Sequence, residues 1–336
     1  MEKKNISIKE IAELSGVSVA TVSRVINNNG RFSEETRKKV QAVIEETNYE
    51  TNTVAKSLRM KKSNTIGILV PDISNAFFSE LVRKLESQLF DEGYSTIICN
   101  TNRDKEKESA YLTMLESKMV DGLIVISGQK EFSTGNINRK IPIICVDRKP
   151  KSGEGIAIIH SDNYQGGVVA AEELIRNGCK KISLLENQAT MSAFKHRENG
   201  FLETLAKHGI TADIIEVPRN GGFSQTENAR ATVLSRLQAG RTYDGFFALT
   251  DRLAIGAIEA VLEFGLKIPA DIKIVGFDND PISKYCYPKL TTVKQNTEEL
   301  SKRACETLRS LIDGNVLEEI QHIVPIELIR RGTTKT

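Results

Sequence analysis

The segment that decides the fold of the first part of the chain is residues 7–26, which read SIKEIAELSGVSVATVSRVI. Its apolar residues recur at helical spacing, and Gly16 interrupts that spacing. Ser7 is followed three residues later by Glu10, which is the signature of a capped helix start. Ser18 can cap a second helix after the glycine. The segment therefore predicts two short helices joined by a tight turn, the arrangement of a helix-turn-helix.

The second helix of such a motif brings its first side chains to the base edges in the major groove of DNA. In this chain those side chains belong to Val19, Ala20, Thr21 and Ser23, and Arg24 follows them. A small apolar side chain can contact the methyl group of thymine, and arginine can pair with guanine. An ordinary pair of packed helices has the same pattern, so the motif favours DNA binding without excluding a purely structural role.

The distribution of charge is consistent with a polyanionic partner for this first part. Residues 1–62 contain twelve Lys and Arg and eight Asp and Glu, a balance of +4, whereas the whole chain has a net charge of +2. The rest of the chain therefore carries a balance of −2. A small basic part on a slightly acidic body suits contact with DNA, but a solvated surface with a chance bias has the same composition.

After about residue 63 apolar strands alternate with helices to the end of the chain. The predicted strands cover 65–70, 95–99, 122–126, 142–146, 156–160, 181–185, 213–217, 245–249, 272–276 and 322–329. The predicted helices cover 76–92, 105–117, 164–177, 193–208, 224–239, 252–264 and 297–313. Apolar strands separated by helices indicate parallel sheets covered on both faces. About ten strands are too many for one sheet of this length, so the predicted fold class is α/β with two doubly wound parallel sheets.

Polar and aromatic residues follow several predicted strands at the edge where doubly wound sheets bind ligands. They occur at 71–78, at Asp147-Arg148, at Thr250-Asp251 and at Asp278-Asn279. Each of these groups alone could be a helix cap. Because they are distributed over both predicted sheets, together they predict a cleft lined by polar groups.

Several functional classes lose support from motifs that the sequence lacks. It has no run of about 18 apolar residues, so no segment is predicted to span a membrane, and no apolar signal peptide stands at its start. A dinucleotide fingerprint and a phosphate-binding P-loop are absent, and the five cysteines and four histidines show no metal-binding spacing. We therefore expect a cytoplasmic protein that is not an enzyme and that needs no cofactor and no metal ion.

Residues 8–27 resemble the head of the lactose-repressor/galactose-repressor (LacI/GalR) family of bacterial transcription regulators. Residues 36–49 resemble the third helix of that head, and 52–59 resemble the family's hinge helix. Further matches follow in the family's order at 75–78, 121–124, 146–148, 161–163, 197–201, 250–251, 275–279 and 288–293. The resemblance covers about residues 7–332, which is nearly the whole chain.

The resemblance implies DNA contacts in the head and the hinge. Val19 and Ala20 occupy the two positions that chiefly set the operator sequence, and Leu58 matches the hinge leucine that inserts into the minor groove. The other positions that match DNA contacts are Thr21, Ser23, Arg24, Asn27, Arg31, Ala55 and Arg59.

The resemblance also implies an effector site in the body of the chain. The positions that match effector contacts are Phe77, Asp147, Arg197, Thr250 and Asp278. Residues near such positions are Phe78, Ser127, Arg148 and Phe247. One departure is Ala193, four residues before Arg197, where family members sometimes have a polar ligand contact.

The implied body has two periplasmic-binding-protein-like subdomains joined by three crossings. The implied bounds are 1–50 for a helix-turn-helix domain, 51–63 for the hinge helix and linker, 64–161 plus 294–321 for the N-subdomain, and 162–293 plus 322–332 for the C-subdomain. No leucine-heptad tail follows Arg331, so we expect a homodimer and not the tetramer that some members form.

The function implied is that of a repressor of a carbohydrate-utilisation operon, which binds palindromic operator DNA and is controlled by a small sugar or sugar phosphate. Charged side chains suit the hydroxyls of a sugar, and an aromatic side chain suits the apolar face of a sugar ring. A purine effector and a protein co-repressor are alternatives within the family. A solute-binding protein without a DNA role is an alternative of another class, which residues 7–26 oppose.

Overall fold

The computed structural model describes residues 6–47, 49, 62–126, 132, 135, 137, 140–150, 156–187, 192–218 and 224–335. The chain forms two compact units that are divided between Ser63 and Asn64. We call them the headpiece and the body and describe each by itself.

The headpiece consists of three helices, which are α1 (Ile8–Ser15), α2 (Val19–Ile26) and α3 (Glu34–Thr47). The predicted capping box is present, because the Ser7 amide donates to Glu10 Oε2 at 2.6 Å and the Ser7 hydroxyl accepts from the Glu10 amide. Gly16 ends α1 with a left-handed φ of 67°, which glycine adopts at little cost. Side chains from all three helices form one small core, as the helix-turn-helix prediction requires. Its buried members are Ile11, Ala12, Val22, Val25 and Val40.

The first sheet of the body contains six parallel strands in the order β11-β5-β4-β3-β1-β2. The strands are β1 (Thr65–Val70), β2 (Ser95–Asn100), β3 (Gly122–Ile126), β4 (Ile143–Val146), β5 (Ala157–Ser161) and β11 (Gln321–Val324). The helices that cover this sheet are α4 (Ala76–Asp91), α5 (Lys105–Ser117) and α11 (Thr297–Ile312). We call this layer the N-subdomain.

The second sheet also has six strands, in the order β12-β10-β9-β8-β6-β7, and only its edge strand β12 is antiparallel to its neighbour. The strands are β6 (Ile182–Asn187), β7 (Asp213–Val217), β8 (Gly245–Ala248), β9 (Lys273–Asp278), β10 (Thr291–Gln295) and β12 (Ile326–Ile329). The helices are α6 (Asn163–Arg176), α7 (Ser192–Lys207), α8 (Gln225–Gln238), α9 (Asp251–Glu263) and α10 (Ile282–Tyr285). This layer is the C-subdomain, and the two sheets together confirm the predicted α/β class.

The predicted single strand over 322–329 is wrong, because the structure forms two strands there in different sheets. β11 pairs in parallel with β5, and β12 pairs antiparallel with β10. Pro325 stands between them, and its ring nitrogen has no hydrogen to donate to a ladder, which favours a strand end at this residue. The third crossing between the subdomains therefore lies at Pro325 and not near His322.

The second crossing also lies a little later than predicted. β10 runs to Gln295 in the C-subdomain, and the chain returns to the N-subdomain at Asn296, whose side chain accepts from the amide of Glu299 and caps α11. The predicted bound at residue 294 is corrected accordingly. The first crossing falls at Ser161–Asn163, between the end of β5 and the start of α6.

The close packing of α6 against α7 depends on two glycines. A Cβ atom built on Gly167 would collide with the carbonyl oxygen of Arg197, and one built on Gly200 would collide with that of Tyr164. Any larger residue would push the helices apart. The two glycines thus bring the backbone of α7 at Arg197 close to the first crossing. Within the described residues, no helix is both long and apolar enough to cross a membrane.

Candidate functional site

The outward face of α2 carries the side chains predicted to contact DNA. Val19, Ala20, Arg24 and Asn27 are exposed, as is Arg31 beyond the helix. Val19 is 39% exposed although it is apolar, and it stands in the first turn of the helix. An exposed apolar side chain at this place is available for contact with a thymine methyl group.

Thr21 and Ser23 are half-buried and take part in local hydrogen bonds. The Ser18 hydroxyl accepts from the Thr21 amide at 3.1 Å and shares a hydrogen bond of 2.9 Å with the Thr21 hydroxyl. Asn27 Nδ2 donates to the Ser23 carbonyl at 2.7 Å. These bonds fix both ends of α2, so its outward face is formed before any DNA is bound.

Four of the predicted site residues lie outside the described residues. They are Ala55, Leu58 and Arg59 of the predicted hinge, and Ser127 of the predicted effector site. The roles predicted for them stay predictions.

A cleft of about 420 Å³, including its part open to solvent, lies between the two subdomains. Its walls come from both sheets at the carboxyl ends of their strands, as predicted for doubly wound sheets. The residues that line it are Asn75, Phe77, Phe78, Arg103 and Asp147 of the N-subdomain and Asn187, Ala193, Phe194, Arg197, Gln225, Thr250 and Asp278 of the C-subdomain.

Arg197 is the central charged side chain of the cleft, and it is 3% exposed. Its Nε donates to Asn163 Oδ1 at 2.8 Å, and its Nη1 donates to the Leu249 carbonyl at 2.7 Å. Nη1 also lies 3.5 Å from Asp278 Oδ1. The guanidinium lies 3.5 Å from the centre of the Phe277 ring, a cation–π contact in a desolvated place. Arg197 is therefore held in one orientation before a ligand arrives.

The two cleft carboxylates are tied to the crossings between the subdomains. Asp147 Oδ1 accepts from the Ser161 amide at 3.2 Å and from Asn163 Nδ2 at 3.1 Å. Gln295 links the other carboxylate, because its Nε2 donates to Asp278 Oδ1 and its Oε1 accepts from the Ser161 hydroxyl, both at 2.7 Å. A ligand that shifts either carboxylate therefore also changes the hydrogen bonds of the segments that join the subdomains.

Both Asp147 and Asp278 have a positive backbone φ angle. The φ angle is 49° at Asp147 and 110° at Asp278. Residues other than glycine rarely adopt positive φ, and such angles concentrate at ligand-binding sites, where neighbouring contacts hold them.

Burial sets the acid–base properties of the cleft. It raises the pKa of Asp278 to about 7, although the nearby Arg197 opposes this rise. Burial also raises the pKa of Asp147, again against the effect of Arg197, and lowers the pKa of Arg197 itself. Behind the cleft Asp251 is fully buried, and burial together with Asp278 raises its pKa well above the usual value. Asp278 thus titrates near neutral pH.

Aromatic side chains form the apolar part of the cleft. Phe77 and Phe78 stand in the first turn of α4 with their ring centres 5.3 Å apart, edge to face. Asn75 caps that helix by accepting from the amides of both residues, at 3.0 and 3.3 Å. Phe194 lies on the C-subdomain side, with the Arg197 guanidinium 5.2 Å from its ring centre.

A polar contact joins the subdomains beside the cleft. Arg252 Nη2, at the start of α9, donates to the Ser74 carbonyl in the loop that follows β1. Arg252 Nη1 lies 3.8 Å from Asp72 Oδ2 in the same loop. We call this contact the rim latch.

Five predicted effector residues line the cleft together with the neighbouring Phe78, but two predicted residues lie elsewhere. Arg148 is 2% exposed and makes a bidentate pair with Glu108, at 2.7 and 2.9 Å. Phe247 is fully buried against Phe201 in the core of the C-subdomain, with ring centres 4.7 Å apart. Because side chains alternate along a strand, that of Phe247 points into the core and not towards the cleft. We therefore remove Arg148 and Phe247 from the proposed site.

Five residues that line the cleft are not among the predicted effector residues. They are Asn75, Arg103, Asn187, Phe194 and Gln225. Asn75 lies in the strand-end group predicted at 71–78, and Asn187 could have been found because it ends a strand at the ligand edge. Arg103 and Gln225 carry no such signal, since charged and amide side chains are common in loops and at helix starts.

Comparison with known proteins gives consistent matches over nearly the whole chain. The model of a family described as bacterial regulatory proteins, lacI family, matches residues 7–52, and that of a periplasmic binding protein-like domain matches residues 171–334. The ribose operon repressor of Halalkalibacterium halodurans is 35% identical over 332 residues, which are 98% of this chain and 97% of that protein.

Two solved structures have the same fold. The first is a lac repressor dimer bound to operator and the anti-inducer ONPF, which superposes with a TM-score of 0.87 at 27% identity and covers 99% of this chain and all of that one. The second is a LacI-family transcriptional regulator from Enterococcus faecium with bound ribose. Its TM-score is 0.71 at 29% identity, and the match covers 80% of this chain and 98% of that one.

Proposed function

The chain belongs to the lacI family of bacterial regulatory proteins, and from that premise we propose that it represses a carbohydrate-utilisation operon under the control of a small sugar or sugar phosphate. It is a sequence-specific DNA-binding transcriptional regulator with an effector-binding body. The sugar is held in the cleft between the subdomains, and it changes the affinity of the headpiece for operator DNA.

The observation that carries the sugar assignment is the pairing of buried charges with aromatic rings in one cleft. Asp147, Arg197 and Asp278 offer charged partners to hydroxyl groups, and such hydrogen bonds are about twice as strong as those between neutral groups. Phe77 and Phe78 offer a flat apolar wall on the other subdomain. A sugar ring has both kinds of surface, with hydroxyls on its rim and an apolar face.

The coupling between sugar and DNA runs through the crossings. Because Asp147 and Asp278 hydrogen-bond to Ser161, Asn163 and Gln295, a sugar that changes these bonds changes the angle between the subdomains. We propose that the chain acts as a homodimer on a palindromic operator in the cytoplasm and catalyses no reaction. Two-fold symmetry of the protein then matches two-fold symmetry of the DNA.

A purine effector is the second candidate, because aromatic rings line both sides of the cleft. Phe77 and Phe78 lie on one subdomain and Phe194 on the other, which would also suit a flat base. The charged groups between them favour a ligand with many hydroxyls, so we rank the sugar first.

Thermal unfolding in the presence of single compounds tests both candidates. The panel consists of D-ribose, other monosaccharides, their phosphates and purine bases. A ligand at 100 times its Kd stabilises the folded protein by about 2.7 kcal/mol, which raises the unfolding temperature by several degrees. Stabilisation by a sugar or sugar phosphate supports the proposal, and stabilisation by purines alone contradicts it.

A further inference from the structure

Asn187 is the last residue of β6 and lines the cleft on the C-subdomain side. Its side chain is 3% exposed, and its Oδ1 atom is buried without a hydrogen-bond partner. A buried acceptor without a donor is costly, and native proteins contain few of them. The atom therefore needs a physical explanation.

Other polar groups that line the cleft already have partners within the described residues. The Thr250 hydroxyl accepts from the Leu253 amide, and the Asn75 oxygen accepts from two amides of α4. Asp147, Arg197 and Asp278 are engaged at the crossings. Among the cleft-lining atoms that the structure describes, Asn187 Oδ1 is the one that is both buried and unsatisfied.

Among the described residues, none donates a hydrogen bond to Asn187 Oδ1. Ala193 and Phe194 line the same side of the cleft and have no polar side-chain atom. Because Asn187 lines the cleft, a ligand donor that reaches this oxygen from the cleft would remove the cost of its burial.

We propose that Asn187 is a specificity-determining residue of the effector site, whose carboxamide oxygen accepts a hydrogen bond from a hydroxyl of the bound sugar. This inference rests on the proposed function and deepens it, because it requires a hydrogen-bond donor at one position of the ligand. An analogue without that hydroxyl leaves the oxygen unsatisfied and binds more weakly. Sites that hydrogen-bond a substrate hydroxyl reject the analogue lacking it for this reason.

The unfolding temperature of an Asn187 variant distinguishes a role of Asn187 in ligand binding from a role in stabilising the fold. Asn187→Leu replaces the carboxamide with an apolar group of similar size and removes the unsatisfied acceptor. The variant should unfold, without ligand, at the wild-type temperature or above it. If Asn187 held the fold together, the same change would lower the unfolding temperature.

Asn177 provides the matched control. It caps the end of α6 in the same subdomain, and its Nδ2 donates to the Glu173 carbonyl at 2.7 Å and to Glu173 Oε1 at 3.2 Å. Asn177→Leu breaks these bonds away from the cleft. We expect it to unfold several degrees below the wild type and to bind the sugar with unchanged affinity.

The experiment measures affinity by calorimetry for the wild type, Asn187→Leu and Asn177→Leu. The probe is D-ribose with its 2-deoxy, 3-deoxy and 5-deoxy analogues, or another monosaccharide of the panel and its deoxy analogues if that sugar binds more tightly. We expect Asn187→Leu to bind the parent sugar about tenfold more weakly than the wild type. We also expect one deoxy analogue to bind equally well to both proteins.

The possible outcomes distinguish this inference from the proposed function. Equal affinity of the wild type and Asn187→Leu for every sugar overturns the role of Asn187 but leaves the sugar effector in place. A lower unfolding temperature of ligand-free Asn187→Leu also overturns it. If the wild type binds no sugar and no sugar phosphate of the panel, the proposed function fails and this inference fails with it.

Discussion

The two candidate sites of this chain differ in how far their side chains are exposed and in how many contacts those side chains already make. On α2 Val19, Ala20 and Arg24 are exposed and belong to no core cluster, although Thr21 and Ser23 are half-buried. In the cleft Arg197 and Asp278 are nearly fully buried and already engaged in hydrogen bonds or ion pairs. A substitution of one of the exposed residues of α2 should therefore affect DNA binding and leave the stability of the headpiece unchanged. A substitution in the cleft should disturb the ligand, the crossings and the stability together.

The largest effect predicted from this contrast is that of Arg197→Lys. The donors of an ammonium all stand on one nitrogen, so lysine cannot reproduce the fork in which Nε binds Asn163 while Nη1 reaches the Leu249 carbonyl and Asp278. Hydrogen bonds to charged groups contribute about 1.5–3 kcal/mol each, so effector affinity should fall by roughly 100-fold or more.

Titration calorimetry with the effector checks this prediction, and Arg230→Lys is the control. Arg230 forms a surface pair with Glu263 at 2.6 Å, and its replacement should change nothing. Wild-type effector affinity in Arg197→Lys would show that the cleft is not the effector site.

Arg24→Ala should have the next largest effect, and it should be confined to DNA. Loss of a bidentate contact to guanine costs about 1–3 kcal/mol, so operator affinity should fall about 5- to 150-fold. The unfolding temperature and the affinity for effector should stay at their wild-type values, because Arg24 is exposed.

Binding assays on operator DNA and on DNA of random sequence separate two roles of Arg24. Arg83→Ala removes the same charge from a surface pair with Glu80 in the body and serves as the control. Equal losses on both DNAs would make Arg24 a phosphate contact and not a base contact.

The pKa of Asp278 predicts a smaller effect that depends on pH. Since burial raises that pKa to about 7, the carboxyl group is largely protonated below neutral pH. The ionised form accepts the stronger hydrogen bonds, so affinity for the sugar should rise by up to about tenfold per unit as pH increases towards 7. Asp278→Asn should flatten this dependence, and calorimetry from about pH 5.5 to 8.5 would reveal it.

The same pKa has a defined consequence for stability without ligand. The folded protein keeps a proton on Asp278 that the unfolded chain loses above its normal pKa of about 3.9. The contribution of this group therefore falls as pH rises from about 4 to 7. Unfolding by urea at several pH values should show a shallower fall for Asp278→Asn, and an unchanged slope would contradict the assigned pKa.

The rim latch should give the smallest effect. Arg252 and Asp72 are partly exposed, and such pairs contribute about 0.2–1 kcal/mol. Arg252→Ala removes a contact that joins the two subdomains, so it should favour a cleft with its subdomains apart. We expect effector binding to weaken by about two- to fivefold. Arg303→Ala, which breaks a surface pair with Glu299, is the control and should have no effect.

The sequence alone predicted the parts of the fold that follow from local patterns. The capping box at Ser7, the glycine end of α1 and the apolar strands of both sheets are short-range signals, and the structure contains them. The division of 322–329 into two strands was missed, because β11 and β12 are both short and neither periodicity nor length shows which sheet a strand joins. Only pairing with β5 and β10 decides that.

Site residues that follow a strand could be predicted from the sequence. Those whose position depends on packing between distant residues could not. Asp147, Thr250 and Asp278 lie at or just after strand ends, and all three line the cleft. Arg148 also follows a strand, but its guanidinium pairs with Glu108 on α5 and does not line the cleft. The sequence does not show this pair, because the two residues lie far apart along the chain. The place of Asn187 at a strand end was visible in the sequence, but its unsatisfied oxygen is a property that no sequence pattern reveals.

The central claim is that the cleft and the headpiece are thermodynamically coupled. If the effector changes operator affinity by some factor, the operator must change effector affinity by the same factor. We predict a coupling of about 1–3 kcal/mol, which is roughly 5- to 150-fold, measured both ways with the tightest-binding sugar of the panel. Titration of operator DNA with and without that sugar, and of the sugar with and without operator, should give equal factors. Operator affinity that is unchanged when the cleft is saturated with the sugar would contradict the account.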